Sequence, residues 1–299
     1  MDAIANRKFL ITGEKGFVGR HLANKVKMKG GEVVTLTNPK GECIDIRDWE
    51  RIKSLKKVKG VDIVYHLAAI TYVPYSWREP RKTYEVNVLG TLNILELCRI
   101  YKVNKLIFVS SYVYGVPKYI PVDENHPVNP SNPYMRSKVI AEELCRGYHQ
   151  DYGLNCIIFR PFNIYGEGQN ENFLVSSICS QIVKKKIVVL KDSRPRRDYL
   201  YISDMVDACI KSCLYKNRNG FDVFNIGFGK SYSVKEVVKK AIEISGKKVK
   251  VEYKEERRKS EIMNVVADVK KARQELNWRP EVGLEEGLKF CLDYYREND

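Results

Sequence analysis

The chain has 299 residues, of which 44% are hydrophobic and 30% charged, and a formal net charge of +15. A chain of this length buries the core of about one or two domains, and its composition excludes wholesale disorder. No run of about 18 apolar residues offers a membrane span. The basic balance leaves nucleic acid, an anionic small molecule or a solvated lysine-rich surface open. Residues 1–8 lack the apolar stretch of a secretory signal. The eight cysteines are scattered with no CxxC pair, so we expect reduced, mostly buried thiols, no metal site and a cytoplasmic protein.

Residues 8–12 (KFLIT) read as a buried strand, and a glycine turn follows. Residues 18–29 read as a helix and 32–37 (EVVTLT) as a second strand. Apolar runs at 63–67 and 106–110 bracket a segment of helical period at 84–99. A helix at 134–148 and a strand at 156–159 come next. Short apolar strands alternating with amphipathic helices predict βαβ units in a parallel sheet covered on both faces. After Gly166 the character changes: a helix at 172–184, a basic turn-rich stretch at 191–197, then short, densely charged helices beyond 230. We therefore expect one domain over 1–166, with part of 198–228 interleaved, and a smaller one over 167–299.

The turn Thr12-Gly13-Glu14-Lys15-Gly16-Phe17-Val18-Gly19 lies between the first strand and the first helix. Gly13 permits the tight turn, Gly16 lets backbone approach a phosphate, and Gly19 allows close helix–strand packing. The helix N-terminus then offers free N–H groups and a positive dipole end to a dinucleotide pyrophosphate. The second strand ends Leu36-Thr37-Asn38 without the carboxylate that would hold an adenosine ribose. Lys15 inside the turn suits a 2′-phosphate. Thr37 and Lys15 thus tilt the expected cofactor to NADP(H) over NAD(H), although a plain strand residue and a solvated lysine give the same sequence. Asp45 and Ile46, read as following a third strand, suit an adenine amine or a helix cap.

Tyr134-Met135-Arg136-Ser137-Lys138 is a YxxxK. Four-residue spacing puts phenol and ammonium on one helix face, and a nearby cation lowers a phenol's pKa toward working pH. Ser110 ends an apolar strand, so its hydroxyl is expected in the crevice at the strands' carboxyl ends. His66 sits on a strand with no triad partner and receives no catalytic role.

With these residues in hand, the sequence resembles the extended short-chain dehydrogenase/reductases of the nucleotide-sugar epimerase/dehydratase group. The matching segments are TGEKGFVG from Thr12, DIRD from Asp45, HLAA from His66, NVLGT from Asn87, FVSSYVYG from Phe108, Tyr134/Lys138, RPFNIYGEGQ from Arg160, RRDYLYISD from Arg196, FNIG from Phe224, RKSE from Arg258 and LNWRPEVGLEEGL from Leu276. The resemblance implies an α/β fold, a Rossmann-type doubly wound parallel sheet with a smaller C-terminal α/β substrate domain. It implies catalytic roles for Ser110, Tyr134 and Lys138. A cofactor site would comprise Gly13, Lys15, Gly16, Phe17, Val18, Gly19, Thr37, Asp45, Ile46, Leu67, Ala68, Ala69, Asn87 and Pro161, with Tyr134 and Lys138. Ser111, Tyr112, Asn163, Arg197 and Arg258 would hold a nucleotide-diphosphate sugar, and guanidinium groups suit its phosphates. A homodimer would form through helices at 81–101 and 134–148. No nucleic-acid or membrane partner is implied.

Family dehydratases carry an acidic pair just after the catalytic Ser/Thr, where this chain has Ser111 and Tyr112; 4,6-dehydration is therefore disfavoured. Two readings remain at hexose C4. The cofactor features, with GFVGRHLANKV and YVPYSW, favour a 4-keto-6-deoxyhexose reductase resembling the GDP-6-deoxymannose reductases. VYG and RPFNIYG resemble UDP-hexose 4-epimerases, the alternative. A non-catalytic nucleotide-binding or RNA-binding protein ranks behind both, because the catalytic residues are all present and no aromatic–basic motif accompanies them.

Overall fold

In a computed structural model, the structure describes residues 4–216, 219–256 and 261–298. Its strands are β1 (Lys8–Thr12), β2 (Glu32–Val34), β3 (Ile63–His66), β4 (Lys105–Val109), β5 (Cys156–Pro161), β6 (Asn163–Tyr165), β7 (Ile187–Leu190), β8 (Arg196–Tyr201), β9 (Phe221–Ile226), β10 (Ser231–Ser233) and β11 (Lys250–Tyr253). The chain divides into two compact units.

The first unit comprises Met1–Gly115, Pro127–Arg160 and Val206–Phe224. It is built around a six-stranded sheet of order β2-β1-β3-β4-β5-β9. The pairs β1–β2, β1–β3, β3–β4 and β4–β5 are parallel. Every residue of β3 and β5 is buried, as a sheet covered on both faces requires. On one face, Leu10, Val64, Leu106 and Ile158 pack with Ile94, Leu97, Ala141 and Cys145. On the other, the Tyr65 hydroxyl donates to Cys209 O at 2.7 Å beside the Phe9 ring.

The helix Pro133–Tyr152 shows how local chemistry fixes an element. Asn132 caps it by accepting from Met135 N at 2.9 Å, Pro133 opens it, and Gly153 ends it at φ +70°, where glycine has no Cβ penalty. The expected helix at 84–99 is realised as Pro80–Tyr84, a π-helical turn at Glu85–Leu89, and Gly90–Ile100.

The second unit comprises Val116–His126, Pro161–Met205 and Asn225–Asp299. It contains a three-stranded sheet, β10-β8-β6, and the parallel pair β7–β11. Two features depart from the sequence reading. Residues 116–126 group with this unit because Val122 bridges to Ala267 and accepts from the Asn225 side chain at 2.9 Å. Beyond 230, the helix Lys270–Glu275 is short as expected, but Val234–Ser245 and Leu284–Glu297 are full elements, their charges on exposed faces and their apolar stripes buried. Among the described residues, no helix is long and apolar enough to cross a membrane, and no group of three or more His, Cys, Asp or Glu is placed to hold a metal.

Candidate active site

In the first unit, β1 runs into the glycine turn and then into the helix Phe17–Met28. Gly13 sits at φ +73°, and a Cβ there would meet Ala68 N at 2.9 Å; a Cβ on Gly19 would meet Gly13 O at 2.0 Å. Only glycine lets this helix approach the strand so closely. The helix begins without a side-chain cap and without acidic residues in its first turn. Its leading N–H groups remain suited to an anion. The Thr12 hydroxyl accepts from Leu67 N and Ala68 N at 3.2 and 3.1 Å, which fixes the backbone of Leu67, Ala68 and Ala69 beside Gly13. The turn thus fits a dinucleotide pyrophosphate in shape and polarity.

The remaining cofactor expectations divide. Lys15 Nζ lies on the exposed surface, 3.4 Å from Gly41 O. Thr37 holds a cation that the sequence reading missed: Lys57 Nζ donates to Thr37 O at 2.7 Å and to Thr37 Oγ1 at 2.8 Å. Asp45 and Ile46 precede β3 instead of following a third strand; the nearest pairing is an isolated bridge between Thr37 and Cys43. Asp45 is engaged by Arg47 at 2.6 Å, whose hydrogen bond holds its carboxyl below the usual range. Ile46 is a core residue, its carbonyl taken by Asn93 Nδ2 at 2.9 Å. Asn87 spends its amide on protein partners: Ile70 N, Ile70 O and Ser137 Oγ. It ties the segment after Ala69 to the helix that carries Tyr134 and Lys138.

Tyr134 and Lys138 share one face of that helix, as their spacing requires. Burial raises the Tyr134 phenol above its ordinary value, and a hydrogen bond from Ser111 opposes the rise. The sequence expectation of a phenol lowered toward working pH is therefore not met, because desolvation outweighs the other influences. Burial likewise brings Lys138 down to about 7, with Glu142 opposing. Its ammonium lies 4.1 Å from the centre of the Phe108 ring. His66 is sealed between Thr12 and Thr91, and burial lowers it to about 3; it is a neutral structural imidazole.

Ser110 departs from expectation. Its hydroxyl donates to Glu142 Oε1, a carboxylate also held by Arg160 through Nη2 at 2.6 Å and Nε at 3.2 Å. Arg160 Nη1 donates to the Tyr114 hydroxyl at 3.1 Å. Glu142 continues the Tyr134, Lys138 spacing by one further turn, which was the available sequence signal. Tyr112, expected at the substrate, is buried, and its hydroxyl donates to Gly115 O at 2.7 Å.

In the second unit, Pro161 ends β5 and is buried. Asn163 Nδ2 donates to Asp198 O at 3.3 Å. Arg197 pairs with Glu261 and donates to Ile262 O at 2.5 Å and Arg196 O at 2.9 Å, so the guanidinium expected to bind phosphate is occupied within its own unit. Arg258 lies outside the described residues.

The sequence matches the profile of the NAD dependent epimerase/dehydratase family over residues 9–227. The chain belongs to this family. A Methanocaldococcus jannaschii protein, provisionally named a UDP-glucose 4-epimerase, is 35% identical over 97% of this chain and 99% of its own length. Two solved structures share the fold throughout. The UDP-glucose 4-epimerase of Thermus thermophilus in complex with NAD aligns at TM-score 0.87 and 30% identity, over 97% of this chain and 99% of that one. RMD from Pseudomonas aeruginosa, complexed with NADPH, aligns at 0.90 and 26%, over 98% and 100%. The family member described here is accordingly an NAD(P)-dependent enzyme of the nucleotide-sugar class, with a Rossmann-type fold.

Proposed function

We propose that this family member is a UDP-hexose 4-epimerase. The observation carrying the reading is the shared helical face of Tyr134 and Lys138, with a hydroxyl bonded to the phenol, in a chain whose matched relatives include UDP-glucose 4-epimerases. This reverses the order of the two sequence-based readings. The reductase rested on the missing carboxylate after β2, on Lys15 and on two short segments, whereas relatives named as UDP-glucose 4-epimerases reach 30–35% identity.

When bound, the nicotinamide supplies reversible oxidation at hexose C4. The chain does the rest. The turn at Gly13, Gly16 and Gly19 and the uncapped helix N-terminus hold the pyrophosphate. Tyr134 takes the proton from the C4 hydroxyl as the ketone forms and returns it after the sugar has turned over. Lys138, in its ammonium form, supports the phenolate, and the Ser111 hydroxyl, just beyond β4, orients it. Ser111 and Tyr112 leave no carboxylate for water elimination. Asn163, Arg197 and Arg258 remain the proposed diphosphate contacts, which requires Arg197 to exchange Glu261 for phosphate. The units over 1–166 and 167–299 would divide cofactor and sugar binding between them.

One observation favours the reductase as a second reading: Lys57 and Lys15 stand where a carboxylate is absent, and both suit a 2′-phosphate. Purification and extraction of the bound nucleotide decide between them. Stoichiometric NAD⁺, with interconversion of UDP-glucose and UDP-galactose and no added cofactor, supports the epimerase. A site that exchanges NADPH freely and consumes it with a 4-keto nucleotide sugar overturns it.

A further inference from the structure

The second unit gathers five lysines around one cavity. The helix Leu174–Lys184 runs into β7 through Lys185 and Lys186, and the helix Val234–Ser245 runs toward β11 through Lys247 and Lys248. β7 and β11 pair in parallel, with Lys250 N donating to Lys186 O at 3.0 Å. That pairing brings the two connections together around a cavity of about 280 Å³. Lys184, Lys185, Lys186, Lys247 and Lys248 line it, and no acidic or aromatic side chain does. Two of these lysines serve the fold itself. Lys247 Nζ donates to Val183 O at 2.6 Å, a last-turn helix carbonyl, where a cation also meets the negative end of the dipole. Lys184 Nζ lies 3.4 Å from Glu171 and 5.6 Å from the centre of the Tyr295 ring. Lys185, Lys186 and Lys248 are exposed and have no carboxylate partner among the described residues.

Like charges held together without a counter-charge repel one another and raise a local positive potential. An anion relieves that repulsion, and ammonium groups pair well with phosphoryl oxygens. Size restricts the choice. Pockets for small-molecule ligands run to about 300–1,000 Å³, so this one suits a few linked phosphoryl groups and not a whole dinucleotide. A nucleic-acid strand fits less well, because surfaces that track single strands stack the bases on aromatic side chains, and none lines this cavity. We propose that the cavity is a further anion site, for a small ligand carrying two or three linked phosphoryl groups, held by Lys185, Lys186 and Lys248 with Lys184 and Lys247 flanking it. It shares no residue with the glycine turn, with Tyr134 and Lys138 or with the proposed diphosphate contacts. The site goes beyond the epimerase reading and does not depend on it.

The test is calorimetric titration of the full chain with inorganic tripolyphosphate at about 0.15 M ionic strength, where loose surface pairing is screened. NAD⁺ and UDP are present in excess, so that other phosphate sites are filled. One-to-one binding is expected. Lys185→Ser with Lys186→Ser and Lys248→Ser changes only exposed side chains and is expected to weaken it about tenfold or more, the scale of lost charge-assisted contacts. Lys235→Ser with Lys239→Ser and Lys289→Ser makes the same change in net charge on exposed lysines outside the cavity and is expected to leave binding in place. No binding by the wild-type chain, or equal weakening in both variants, overturns the site. So does an oligothymidylate that binds more tightly than tripolyphosphate and is lost in the cavity variant, since the face would then belong to a nucleic acid.

Discussion

Glu142 and Arg160 form an ion pair sealed from solvent, 2.6 Å apart with side chains 5% and 8% exposed. Removing one partner leaves the other charge buried and unpaired, which costs more than the pair itself contributes. Glu142→Gln is therefore expected to lose about 3–5 kcal/mol of stability. The apolar pair Glu142→Leu with Arg160→Met should recover most of that loss. Urea unfolding of the two variants checks this; equal losses in both would show that packing, and not charge, dominates the site.

Tyr134→Phe removes the only proposed proton acceptor without changing the ring. Turnover is expected to fall by about 10²–10⁴-fold, while dinucleotide binding, followed by calorimetry, stays within a few-fold of wild type. Near-normal turnover would remove Tyr134 from the proposed mechanism.

Gly19→Ala places a methyl group 2.0 Å from Gly13 O. Backbone has to shift to admit it, at a cost of at least about 2 kcal/mol. Dinucleotide affinity should fall with stability, because the same shift opens the turn. Thermal unfolding with and without added cofactor reads both effects.

His66 gives a pH signature. It titrates at about 3 in the fold and near 6.5 in an unfolded chain. Between those values the unfolded state binds more protons, so stability is complete above about 6.5 and declines as pH falls toward 3. From pH 7 to pH 5 this group alone removes about 2 kcal/mol. Urea unfolding at the two pH values should show a smaller difference in His66→Asn than in wild type.

Lys57 lies against Thr37, where a ribose 2′-phosphate would be read. If NADP(H) is held there, Lys57→Ala should weaken NADP⁺ about tenfold, the scale of one charge-assisted contact, and leave NAD⁺ unchanged. Titration with both nucleotides checks it; equal affinities in the wild-type protein would argue for NAD(H).

Much of the first unit was legible in the sequence. Strands such as 8–12 and 63–67 read correctly because a parallel sheet buries both faces and so demands continuous apolar runs. The glycine turn and the shared helical face of Tyr134 and Lys138 were legible because each depends on spacing within one short segment. The second unit was less legible. The helices Val234–Ser245 and Leu284–Glu297 carry so many charges that their buried stripes were undercounted. Residues 116–126 join their unit through Ala267 and Asn225, more than 100 residues away. Lys57 was missed because it meets Thr37 across 20 residues.

The +15 balance by itself named no partner. The sequence determined the periodicities, the glycine turn and the Tyr134–Lys138 spacing, since these follow from backbone geometry over a few residues. Tertiary structure alone decided which neighbours these polar groups would meet: Ser110 with Glu142, Ser111 with Tyr134 and Arg197 with Glu261. It also decided the burial that brings Lys138 to about 7. Desolvation and pairing depend on what surrounds a group in three dimensions, and that surrounding is assembled from segments far apart in the chain.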